Sequence, residues 1–242
     1  MINHLVVNGC SYMESYAQGR GHVDLAQRLG FIGKFNIPQA STLAIGGSAN
    51  SRILRTTLKH SYQATQPMFY VLGMTFLSRL EIPICESESE FEGRWVNPQN
   101  QEFKSRWQIG WTQKDSNKFV EIKLKTEVMS TLDRTEDLMY RMLTTITDLQ
   151  NRGHRVLMFQ QADNLSLEHL DNPRLKLFQR PEIIDGFKWR AITWQYKQGV
   201  QSKDYGPGAP YVPPEMTHPE IGHHELINEY LTNYIQEHKI LA

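Results

Sequence analysis

Residues 5–7 form an uninterrupted apolar run, Leu-Val-Val, which leaves through Gly9 into a turn that carries Ser11. A run this short, bounded by turn residues, reads as a strand covered on both faces in a parallel sheet, and such a sheet requires helices on each side. The rest of the chain has to supply them. Val23, Leu25, Ala26 and Leu29 mark one face of a short helix that Gly30 ends, and residues 31–39 form a loop or edge strand, because Pro38 does not suit a central one. Residues 42–45 predict a second strand, and Ile53, Leu54, Thr57, Leu58 and Tyr62 follow at helical spacing. Residues 68–72 are a third apolar run. Residues 134–151 carry the clearest helical stripe, through Leu138, Met142, Leu143, Ile146 and Leu149, with Gly153 beyond its end and a fourth strand at 154–159. A final helix, predicted over 219–237, should pack on the first strand's side of the sheet. The expected architecture is one domain, residues 1–242, built as a three-layer α/β/α sandwich on a mostly parallel sheet.

Two segments fall outside this alternation. Residues 83–130 mix charged runs with Trp95, Trp107, Trp111 and Phe119, and only 120–125 alternates as a half-buried strand should. They are expected to form a β-rich insertion whose tryptophans make a small core of their own or a wall over the site. Residues 164–214 form a long irregular stretch that ends in a glycine- and proline-rich run, 206–214.

Open parallel sheets bind ligands at the carboxyl ends of their strands, and three predicted strands deliver polar loops there. Ser11 follows the first, Gly46-Gly-Ser-Ala-Asn50 the second, and Thr75 to Arg79 the third. A glycine turn between strand and helix points backbone N–H groups at an anion or an oxyanion, and this one lacks the Gly-x-x-x-x-Gly-Lys spacing of a nucleotide loop. Each feature also has a plain reading: Gly-x-Ser is an ordinary turn, and Arg79 with Glu81 is a surface ion pair. Near the far end, Glu215 stands three residues before His218 and ahead of the final helix.

Taken together, Gly9-Cys10-Ser11, Ala44-Ile-Gly-Gly-Ser48, Gly73-Met-Thr75 and Glu215-x-x-His218 resemble the four blocks of the SGNH (GDSL) hydrolases, in the family's order and over nearly the whole chain. Three positions depart from the pattern. Cys10 and Glu215 stand where the family has aspartate, and Thr75 where it has asparagine. The resemblance implies a flavodoxin-like sandwich that hydrolyses or transfers an ester-linked acyl group, with Ser11 as nucleophile, His218 as base and Glu215 as the acid that orients it. A serine hydroxyl needs such a base before it attacks. The backbone N–H groups of Ser11 and Gly47 and the hydroxyl of Thr75 are the expected oxyanion donors. Asn50 and Arg79 are expected to contact the substrate, Arg79 because its planar fork suits a carboxylate or phosphate. A small-molecule or glycan ester is the expected substrate. A second class stays open: an SGNH-like module whose departures have weakened or removed catalysis, and which binds carbohydrate or a protein partner.

Composition narrows the partners. With 26 basic and 26 acidic residues the chain is neutral overall, which gives no electrostatic reason to expect nucleic acid or an anionic membrane. Cys10 and Cys85 are too few for a disulfide framework, and no apolar run approaches the roughly 20 residues of a membrane span, so a cytoplasmic setting is expected. Glu215, His218, His223 and His224 match no zinc spacing, and neither metal nor cofactor is expected. Cys10 is the other nucleophile the turn offers.

Overall fold

Successive residues of a strand point to opposite faces, and in the central strands both faces are apolar. The computed structural model describes residues 2–10, 13, 31–45, 48–75, 82–83, 95–96, 131–160, 179–184 and 221–242. Its strands are β1 (His4–Asn8), β2 (Gln39–Thr42), β3 (Met68–Met74), β4 (Ile82–Pro83), β5 (Trp95–Val96), β6 (Arg155–Gln160) and β7 (Ile183–Ile184). Its helices are α1 (Phe31–Lys34), α2 (Asn50–Gln63), α3 (Thr131–Asn151) and α4 (Ile221–Glu237). Five strands form one sheet in the order β2-β1-β3-β6-β7, and every pair in it is parallel. Counted within the sheet this is the 2-1-3-4-5 order of flavodoxin-like folds, whose direction of winding reverses between β1 and β3.

The alternation sorts the core into two layers. Leu5, Val7, Phe69, Val71, Leu157 and Phe159 pack with Ile227, Leu231, Tyr234 and Ile235 of α4. Val6, Tyr70, Leu72, Met74, Val156 and Met158 face the other way, against Ile53 and Leu54 of α2 and Leu138, Met142, Ile146 and Leu149 of α3. The final helix therefore lies against the first strand, as expected from the sequence. Helix α3 stops where Gly153 turns left-handed at φ 79°, and the His154 N–H then donates back to the Leu149 carbonyl at 3.0 Å.

Four details differ from the sequence reading, the first being that residues 31–34, read as loop or edge strand, form the one-turn helix α1. The second strand is Gln39–Thr42 rather than 42–45, because it is the sheet's edge: partly exposed, it is polar but for Ala40, and Pro38 sits just outside it. Tyr62 leaves the buried stripe of α2. It is 63% exposed, with the Arg152 guanidinium carbon 3.4 Å from its ring centroid, a cation–π contact at the surface. A fifth strand, β7, lies inside the stretch read as irregular. Of the expected insertion, the two-residue antiparallel pair β4–β5 is described; the strand at 120–125, Trp107 and Trp111 lie outside the described residues, as does the helix at 23–29. No helix among the described residues is long and apolar enough to cross a membrane.

The amino end of the sheet holds a cluster of histidines. The main-chain N–H of Met68 donates to Nδ1 of His154 at 3.1 Å, and Nδ1 of His60 lies 3.0 Å from the Tyr70 hydroxyl. Burial lowers the pKa of both histidines and raises that of Tyr70 to about 12. A proton on His154 Nδ1 would set donor against donor at Met68. Both folded values lie below the ordinary 6.5, so the unfolded chain takes up protons first. The stability tied to neutral imidazoles is complete above about 6.5 and is lost as pH falls from there toward the folded values. The melting temperature is accordingly expected to drop between about pH 7 and pH 5, and His154→Asn, which keeps an acceptor near Met68 but does not titrate, should flatten that slope. A melting temperature constant over this range would contradict the assignment.

Candidate active site

The exit of β1 is crowded. A Cβ on Gly9 would lie 2.4 Å from Cγ and 2.8 Å from Cβ of Met13, and 3.0 Å from the carbonyl oxygen of Gly73. Glycine is needed here for the close approach of Met13, and secondarily of β3, rather than for an unusual backbone angle. Gly9→Ala is expected to cost about 1–3 kcal/mol as an overpacked core position, read from the midpoint of urea denaturation. An unchanged midpoint would mean that Met13 swings clear.

Asn8, the last residue of β1, is fully buried and its amide is saturated. Its Nδ2 donates to the Ile53 carbonyl and to the hydroxyls of Thr56 and Thr57, each at 2.9 Å, while its Oδ1 accepts from the Gly9 N–H at 2.9 Å. The strand end is thus pinned to α2. Beyond it Cys10 is buried with no exposure, and its carbonyl accepts from the Met13 N–H at 2.9 Å. These bonds fix both flanks of the segment that carries Ser11.

The loop after β2 is laced to the same strand. The Leu43 N–H donates to the Val7 carbonyl at 2.8 Å, and the Ile45 N–H to the Gly9 carbonyl at 3.3 Å. The Ser48 hydroxyl donates to the Ile45 carbonyl at 2.6 Å and accepts from Arg52 at 3.0 Å. Ala49 then caps α2 with no side-chain bond of its own. Asn50, the first residue of that helix, reaches across to the exit of β3. Its Oδ1 accepts from the Thr75 N–H at 2.7 Å and its Nδ2 donates to the Thr75 carbonyl at 3.0 Å.

Thr75 therefore has both main-chain groups spent on Asn50. Its hydroxyl is different: the residue has no exposure, and Oγ1 has no hydrogen-bond partner among the described residues. A buried hydroxyl left unpaired costs about 1–3 kcal/mol, so such an atom needs a reason to be kept. The three loop exits meet at the carboxyl edge beside the β1–β3 reversal, the place where flavodoxin-like sheets take their ligands.

No family model matches the chain, and no curated protein does either. Among solved structures, the psychrotrophic esterase EstA from Pseudoalteromonas sp., inhibited by monoethylphosphonate, is similar over 97% of this chain and 97% of its own, at 10% identity and a TM-score of 0.51. The chain shares the α/β fold of this esterase. TesA, at 12% identity over 98% of this chain and 99% of its own, has a TM-score of 0.47. An acetyl xylan esterase, AlAXEase, at 13% identity over 97% and 98%, has one of 0.44.

Within this fold, Thr75 and Asn50 stand in contact, 25 positions apart in sequence. Asn50, expected on the substrate, spends Oδ1 and one Nδ2 bond on the Thr75 main chain. Ser11, Gly47, Arg79, Glu215 and His218 lie outside the described residues, though Cys10 and Ser48, the chain neighbours of Ser11 and Gly47, are at this edge. His223 and His224 fall in the opening turn of α4. Sequence reasoning missed Asn8. Its signal was a carboxamide closing an apolar run directly before a glycine, where a strand destined for two buried faces has no other use for a polar side chain.

Proposed function

We propose that this protein is a serine hydrolase of the SGNH type, an esterase or O-acyltransferase that works on a small-molecule or glycan ester through an acyl-serine intermediate. The observation that carries this reading is the meeting of Asn8–Cys10, Ser48–Asn50 and Thr75 at one carboxyl edge of the sheet, at its reversal point. Connectivity keeps Ser11 one residue from Cys10 and Gly47 one residue from Ser48. His218 precedes α4 by three residues, and α4 packs across β1 and β3.

In the reaction, Ser11 Oγ attacks the ester carbonyl while His218 accepts its proton. The tetrahedral intermediate collapses, its C–O bond breaks, and His218 returns the proton to the departing alkoxide. Water, or a second alcohol, then takes the acyl group from Ser11 by the same steps in reverse. Glu215 holds the imidazole in the tautomer that accepts the serine proton. The N–H groups of Ser11 and Gly47 and the hydroxyl of Thr75 bind the oxyanion; among the hydrogen-bonding groups of Thr75 the hydroxyl is the one that is unspent.

EstA is an esterase inhibited by a phosphonate, and the same class of reagent tests this chain. A fluorophosphonate probe is expected to label it, and an activated acetyl or butyryl ester to be hydrolysed at a rate that rises between about pH 5 and pH 8 as the histidine base loses its proton. Absence of both labelling and turnover across that range would overturn the hydrolase reading and favour a module that binds carbohydrate or protein.

A further inference from the structure

Strand β3 ends at Met74, and the next residue has no strand neighbour among the described residues to take up its main-chain groups. The Asn50 amide does so instead. A primary amide placed face to face with a peptide makes the two bonds an adjacent strand would make, and two bonds fix both the position and the direction of residue 75. Asn50 is itself held, being the first residue of a helix that Asn8 ties to the end of β1. Its side chain is nearly buried, with 7% exposure, which leaves little of it for a ligand to touch.

We propose that Asn50 is a positioning residue for the acyl-transfer chemistry: it holds the main chain of residue 75 so that the unspent Thr75 hydroxyl stands ready for the oxyanion, and it makes no contact with substrate. The inference rests on the hydrolase reading above. It assigns to Asn50 a role in kcat rather than in KM. It also explains how a threonine, with a shorter reach than the asparagine usual in this block, serves there: the short donor is supported by an amide at its back.

The test uses the full chain and an activated acetyl ester, with Asn50→Ala and Thr75→Val made singly and together, and kcat, KM and melting temperature measured for each. Asn50→Ala is expected to lower kcat roughly 10- to 100-fold, the effect of misplacing a reacting group by about 1 Å, with KM within about twofold. In the Thr75→Val background the same substitution should change kcat by less than about twofold, because the group it positions is gone. Asn50→Asp keeps the acceptor for the Thr75 N–H and repels the Thr75 carbonyl; it serves as the second variant if the alanine fails to fold, with a smaller kcat loss that also disappears beside Thr75→Val. An equal kcat loss in both backgrounds would overturn the proposal, as would a raised KM with unchanged kcat, which would make Asn50 a substrate contact. A wild-type chain that neither labels nor turns over would instead overturn the hydrolase reading, and this inference with it.

Discussion

Ser11→Ala is expected to abolish fluorophosphonate labelling and to lower ester turnover by roughly 10⁶-fold, the loss found when a serine nucleophile that works as a unit with its histidine is removed. The melting temperature should barely move, since Ser11→Ala removes one hydroxyl and adds no bulk. Labelling under a mass spectrometer locates the modified residue, so the result does not depend on choosing a good substrate. The remaining nucleophile in the turn is Cys10, and its burial argues against it: a thiol with no exposure cannot meet a carbonyl carbon without rearranging the exit of β1. Turnover that persists in Ser11→Ala and is lost in Cys10→Ala would contradict this assignment.

Thr75→Val should separate function from folding more sharply than any other single change. Valine nearly matches threonine in shape and replaces a hydroxyl with no partner among the described residues, so the variant is expected to be as stable as the parent or more stable by about 1 kcal/mol. Turnover should nonetheless fall roughly 10²- to 10³-fold, the loss typical of one oxyanion donor, with KM little changed. The opposite signs matter, because a residue retained only for packing would show no loss of rate. Unchanged kcat in Thr75→Val would remove Thr75 from the oxyanion site and leave the two backbone donors to serve alone.

The parts of the fold legible in the sequence were those where burial on both faces leaves no freedom of composition. Leu5–Val7, Phe69–Leu72 and Val156–Phe159 could be nothing but central strands, and Gly153 had to end the helix before the last of them. Strand β2 was shifted because an edge strand can be polar, while Leu43, Ala44 and Ile45 gain their apolar character from a loop laced onto β1. Strand β7 pairs through two residues, too few to show any period. At the site, the sequence singled out Thr75 and Asn50 but not the bond between them, which depends on two loops 25 residues apart being brought side by side by the sheet. Asn8 escaped for a similar reason: its three acceptors lie 45 to 49 residues further along the chain.

Helix α2 takes up the Asn8 amide from the exit of β1 and sends the Asn50 amide to the exit of β3, so both exits are ganged to a single part. Behind them, Ile53 and Leu54 of that helix are seated in the core. A change of bulk at those two positions is therefore expected to reach both exits together, whereas a change in either loop acts on one of them. For the acyl-transfer site proposed above, a redesign has a handle on the far side of the helix, at residues that carry none of its polar groups.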